Sequence, residues 1–86
     1  MPPQKQMINF LKLSGPDWSY KGEVTFAVKN GQGISIRNAD VNGHLTNDQG
    51  KVSIMFSKED TYKLKAEKKP DSIRSNQHTI VIRTDP

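Results

Sequence analysis

The chain predicts a small all-β domain, an antiparallel sandwich of about seven short strands. Three observations carry this expectation. Apolar residues alternate with polar ones at period two almost throughout, and turn clusters rich in Gly, Asn and Asp separate the alternating runs at fairly even intervals. No window places apolar residues at helical spacing. Clean alternation suits strands with a core on one side and water on the other, not the continuous apolar runs of a parallel sheet.

The opening segment, residues 7–13, is apolar enough for a strand, but its imperfect alternation predicts a kink or bulge. Residues 22–29 follow, with Val24, Phe26 and Val28 on one face. Asn30-Gly31-Gln32-Gly33 reads as a turn, since Gly reaches positive φ without steric cost. Ile34 and Ile36 then alternate again, and Val41, Gly43 and Leu45 are expected to share a face. Asn47-Asp48-Gln49-Gly50 is a second turn, leading into Val52, Ile54 and Phe56. Tyr62, Leu64 and Ala66 alternate with Lys63, Lys65 and Glu67, and a last strand runs over residues 79–83. The expected core is Val24, Phe26, Val28, Val52, Ile54, Phe56, Tyr62, Leu64, Ile80 and Ile82.

Eighty-six residues make one domain, expected over residues 7–83, with linker-like stubs at 1–6 and 84–86. A chain this short buries only roughly 60–65 % of its unfolded surface, so its core is thin. Cysteine is absent, and so is any Cys/His cluster for structural zinc, which leaves packing and the hydrogen-bond ladder to stabilise the fold. Absence of cysteine fits bacterial cytosol and bacterial exported proteins alike. The balance of 13 Lys+Arg against 9 Asp+Glu gives a net charge of +4. That is compatible with a polyanionic partner, although it also keeps a small lysine-rich domain soluble. No apolar run approaches the ~18–20 residues of a membrane span, and no apolar stretch follows the polar first six residues as in a signal peptide.

Residues 39–54, Ala-Asp-Val-Asn-Gly-His-Leu-Thr-Asn-Asp-Gln-Gly-Lys-Val-Ser-Ile, precede residues 60–67, Asp-Thr-Tyr-Lys-Leu-Lys-Ala-Glu. A threonine, an acidic turn, a Gly, a strand and then Thr-Tyr-x-Leu-x-Ala resemble bacterial immunoglobulin-like and transthyretin-like accessory domains of secreted and surface proteins. The likeness spans roughly residues 24–82. It implies an immunoglobulin-like sandwich and an extracellular or cell-surface location, and its motifs inform fold more than function. In such a corner Tyr62 buries its ring and bonds the backbone near residues 57–60. A second likeness is to filamin-type repeats, through Ser75 and Thr79-Ile80-Val81-Ile82, although Arg74-Ser75-Asn76 stands where those repeats carry Gly-Ser-Pro. A third is to collagen-adhesin repeats with internal isopeptide bonds. Alternation turns Lys29 and Glu67 away from the core, so no such bond is expected here.

Catalysis finds no support. Ser14, Asp17, His44 and His78 lie outside any nucleophile elbow, His-Glu-x-x-His or phosphate loop, so no enzyme, no catalytic residue and no cofactor are expected. His44 reads as a surface residue beside Asn42 and Thr46, and the two histidines are too scattered to signal a metal. Oxygens at Asp40/Asn42 or Asn47/Asp48 read as ordinary turns rather than a calcium loop. Two binding features stand out. Trp18, the only tryptophan, and Tyr20 fall in a Pro/Gly-bounded loop outside any alternating strand. Exposed there, they are a platform for sugar rings, but a thin core needs every large side chain, and the preferred expectation is that Trp18 plugs the open end of the core. Lys63 and Lys65 share an outer strand face, with Lys68 and Lys69 in the following loop and Arg83 and Thr79 opposite. This basic strip carries no interleaved aromatics, which disfavours nucleic acid, and its lysines also guard against edge-to-edge aggregation.

The functional expectation is a non-catalytic accessory or spacer module of a secreted or cell-surface bacterial protein, working beside neighbouring domains of a larger chain. The alternatives are a polysaccharide-binding module using Trp18 and Tyr20, and a filamin-like module that binds peptide along a sheet edge.

Overall fold

The computed structural model describes residues 10–68 and 73–85, and among these there is no helix. In the described residues ten short strands form three sheets, where the sequence predicts about seven strands. They are β1 (Leu11–Ser14), β2 (Trp18–Tyr20), β3 (Gly22–Asn30), β4 (Asp40–Val41), β5 (His44–Leu45), β6 (Lys51–Phe56), β7 (Asp60–Leu64), β8 (Ala66–Lys68), β9 (Ile73–Arg74) and β10 (His78–Arg83). The sheet orders are β1-β3-β6, β2-β10-β7 and β5-β4-β8-β9. All neighbours are antiparallel except β2 and β10, which run parallel.

The larger count arises from interruptions. β7 and β8 are one extended run broken at Lys65, where the Asn42 side chain replaces a neighbouring strand. Its amide donates to the Lys63 carbonyl at 3.2 Å and its Oδ1 accepts from the Lys65 N–H at 3.2 Å. Residues 75–77 likewise separate β9 from β10. Asn76 takes the N–H of Leu13 on Oδ1 at 3.0 Å and donates to the Leu13 carbonyl at 3.3 Å, while the Ser75 hydroxyl accepts from the Ala66 N–H at 2.7 Å. Two asparagines thus satisfy backbone groups that a strand would otherwise leave bare.

One buried cluster draws on all three sheets. Val24, Phe26 and Val28 of β3 lie against Val52, Ile54 and Phe56 of β6, and Leu64, Ile80 and Ile82 close the far side. Tyr62 is half-buried, its ring 4.8 Å from that of Phe56, and its hydroxyl donates to the Lys58 carbonyl at 2.9 Å. Leu11, Leu13, Ala39, Val41 and Ala66 complete the cluster.

Five local expectations need correction. Of the segment 7–13, residues 7–9 lie outside the described residues; residues 11–14 pair with β3 without a bulge, and the chain breaks at Gly15-Pro16, where it crosses from β1 to β2. A Cβ on Gly15 would strike the Phe26 ring, so only glycine lets the crossing lie so close to the core. Ile34 and Ile36 form no strand. The Asn30 side chain caps that turn by accepting from the Gln32 and Ile34 N–H groups, Ser35 makes a lone bridge to Lys29, and Ile34 stays exposed. Val41, Gly43 and Leu45 do not share a face. Asn42 and Gly43 take positive φ (51° and 95°) in a two-residue hairpin turn that reverses the alternation, leaving Leu45 62 % exposed. Thr46, expected on the polar face, is buried as a result. Finally, Lys68 belongs to β8 rather than to a loop, while Lys69 lies outside the described residues, as do the stub 1–6 and residue 86.

Thr46 holds the 36–46 connection together. Its hydroxyl donates to the Ile36 carbonyl at 2.6 Å and accepts from the Ala39 N–H at 2.9 Å. Thr46→Val keeps the shape and strands both groups, so a loss of about 1–3 kcal/mol is expected, read as a lowered denaturant midpoint at unchanged slope. An unchanged midpoint would show that water replaces the hydroxyl.

Candidate functional site

Trp18 and Tyr20 belong to a strand, not to a loop. β2 lies beside β10 in parallel, with Trp18 next to Val81 and Tyr20 next to Arg83. The Val81 N–H donates to the Asp17 carbonyl at 2.9 Å and the Lys21 N–H to the Arg83 carbonyl at 3.0 Å, which pins both ends of the short pairing. Three residues suffice because β10 supplies a ready ladder.

Alternation then decides the faces. Ser19 turns inward, so Trp18 and Tyr20 turn out, 49 % and 42 % exposed. The expectation that Trp18 plugs the core is therefore overturned: Phe26, with Gly15 beneath its ring, already fills that region, and β2 has only its odd side to offer. On β10 the buried Ile80 and Ile82 alternate with Thr79, Val81 and Arg83. On β7, Thr61 lies beside Val81 and Lys63 beside Thr79. Lys65 follows Lys63 on the same side, with the buried Leu64 and Ala66 between and after them.

All five binding candidates read from the sequence thus share one outer face: Trp18, Tyr20, Lys63, Lys65 and Arg83. They form two groups. The indole and phenol rings meet edge-on, with centroids 5.3 Å apart and planes at 85°. The Arg83 guanidinium sits 5.4 Å from the Trp18 ring centroid, a cation–π contact that orients its planar fork beside the aromatic pair. Lys63 and Lys65 stand at the other end. Arg83 and Thr79 are four residues apart on β10, which places Lys63 roughly 13 Å along the strand at about 3.3 Å per residue. The basic strip therefore does carry aromatics beside it, contrary to the sequence expectation, because β2 brings them there.

The remaining polar candidates are absorbed by structure. The carboxylate of Asp40 accepts from the Gly43 N–H at 2.6 Å and Oδ1 of Asn47 from the N–H groups of Gln49 and Lys51, so these oxygens serve turns. His78 lies against Phe26, ring centroids 5.8 Å apart, with Nε2 2.9 Å from the Pro16 carbonyl oxygen. It ties the crossing between β1 and β2 to β10, a role that no local pattern reveals. His44 is exposed on β5. Among the described residues no three His, Cys, Asp or Glu side chains gather as metal ligands would. No helix of the described residues is long and apolar enough to cross a membrane.

Comparison with known protein families, curated proteins and solved structures finds no match to this chain.

Proposed function

We propose that this chain is a non-catalytic accessory module with an immunoglobulin-like sandwich, and that it contacts a carbohydrate through the Trp18–Tyr20 face. Pairing order supports the sandwich. With β7/β8 and β9/β10 taken as single interrupted strands, β2-β10-β7 and β5-β4-β8-β9 merge into one layer across the core from β1-β3-β6. Counting β1/β2 as one strand that switches layers then gives seven strands. The tyrosine bonded to backbone four residues earlier fits the corner of such a sandwich. The likeness to domains of secreted and surface proteins supports a location outside the cell, beside neighbouring domains.

The exposure of Trp18 carries the carbohydrate reading. A small core that could use a tryptophan leaves it half in water, beside a tyrosine and an oriented arginine, on a face fixed by the ladder. Aromatic rings held on a rigid sheet pack against the C–H faces of sugars at little conformational cost. Retention on insoluble polysaccharide with single-site substitutions tests this. Trp18→Ala is expected to abolish retention while costing only about 1–2 kcal/mol of stability, since the ring lies outside the buried cluster and loses chiefly its contacts with Tyr20 and Arg83. In the parent, emission from the lone tryptophan is expected to be readily quenched by acrylamide and to shift as polysaccharide is added. Full retention by Trp18→Ala would leave a plain spacer as the function.

A further inference from the structure

We propose that the ligand of this face is an anionic polysaccharide, with Arg83 pairing to an acid group of a sugar whose ring packs on Trp18, and with Lys63 and Lys65 holding further acid groups along the strip. This rests on the carbohydrate reading above and narrows it to a charge class.

The outward positions of β2, β10 and the β7/β8 run carry the argument. They are Trp18 and Tyr20, then Thr79, Val81 and Arg83, then Thr61, Lys63, Lys65 and Glu67. Three are cations, against one acid, Glu67, which stands beyond Lys65 at the end of the run far from Arg83. At the Arg83 end, Glu59 accepts from the Thr84 N–H at 3.0 Å and Asp60 from the Thr61 N–H at 2.7 Å. Among the described residues the one ion pair joins Arg37 and Asp48, so Arg83, Lys63 and Lys65 make none. A face for a neutral glycan would need no such excess of cations around the aromatic pair.

Geometry refines the match. Arg83 is held over the indole, so its fork is already oriented to take a carboxylate or sulfate in a bidentate pair next to the ring. Because the two aromatic planes meet at 85°, they offer one flat contact at a time. That suits a single sugar ring better than successive stacked bases, which favour aromatics in series. The roughly 13 Å from Arg83 to the Lys63 position lets one extended chain meet both groups.

Isothermal titration with polygalacturonate, heparin, neutral xylan and single-stranded DNA, at low and high salt, tests the inference. Polygalacturonate or heparin is expected to bind more tightly than xylan and to weaken steeply with salt. Arg83→Gln is expected to cost about tenfold or more in affinity, as one charge-assisted bond would. Lys63→Gln with Lys65→Gln is expected to flatten the salt dependence, and Trp18→Ala to abolish binding, all with a native far-UV spectrum at the titration temperature. Xylan binding as tight as that of the acidic chains, insensitive to Arg83→Gln yet lost in Trp18→Ala, would overturn the charge class and leave the carbohydrate reading intact. DNA binding tighter than any glycan would overturn both, as would no binding to any probe.

Discussion

Phe26→Ala is expected to destabilise the domain by about 3–5 kcal/mol, the usual cost of emptying a phenylalanine site in a tight core. In a chain of this size that lowers the melting temperature by at least about 12 °C. The ring is 1 % exposed and sits where three elements converge. Phe56 meets it edge-on from β6 at 6.3 Å, His78 meets it from β10 at 5.8 Å, and Gly15 backs onto it where β1 crosses to β2. No neighbour can collapse into the space without dragging a strand, so the cavity persists. A thermal melt by far-UV circular dichroism checks this, and a variant melting within a couple of degrees of the parent would refute the packing described.

Gly50→Ala carries the second large expected effect. Gly50 is buried with φ at 74°, a region costly for any residue with a Cβ. Its N–H closes the turn on the Asn47 carbonyl at 2.9 Å, while its own carbonyl accepts from the Val28 N–H at 2.8 Å. An added Cβ would lie 2.7 Å from the Val28 carbonyl oxygen and 3.0 Å from the Ile36 nitrogen, both backbone atoms that cannot swing aside. Strain of about 1–3 kcal/mol from the dihedral adds to a similar overpacking cost of about 1–3 kcal/mol. Gly33 offers the control. Its φ is 83°, but nothing lies within 4 Å of its Cβ position, so Gly33→Ala bears the dihedral cost alone. Denaturant midpoints that fall equally for both variants would show that the close approach of the turn to residues 28 and 36 contributes nothing.

Both turns were legible from residue chemistry. Asn30 and Asn47 each close a four-residue turn ending in a positive-φ glycine, and each uses Oδ1 to accept the N–H groups two and four residues on. Side chain, turn and glycine lie within five residues, so nothing distant has to be known. The alternation of β3 and β6 was legible for a similar reason, because a half-buried strand repeats its own pattern at every second residue. Residues 34–46 were not. A two-residue turn at Asn42-Gly43 exchanges inside for outside, so Leu45 faces water and Thr46 takes the buried place.

By itself, then, the sequence determined the class of the fold, the positions of its main turns, and the residues of β3, β6, β7 and β10 that build the core, because period and turn chemistry are local. Only the tertiary structure decided that Trp18 and Tyr20 stand outward on the same face as Arg83, Lys63 and Lys65. That outcome depends on a parallel pairing between the second strand and the last, and a three-residue strand has no period of its own to announce which side will face the core. The partner strand sets its register, and with it the face that its aromatics present.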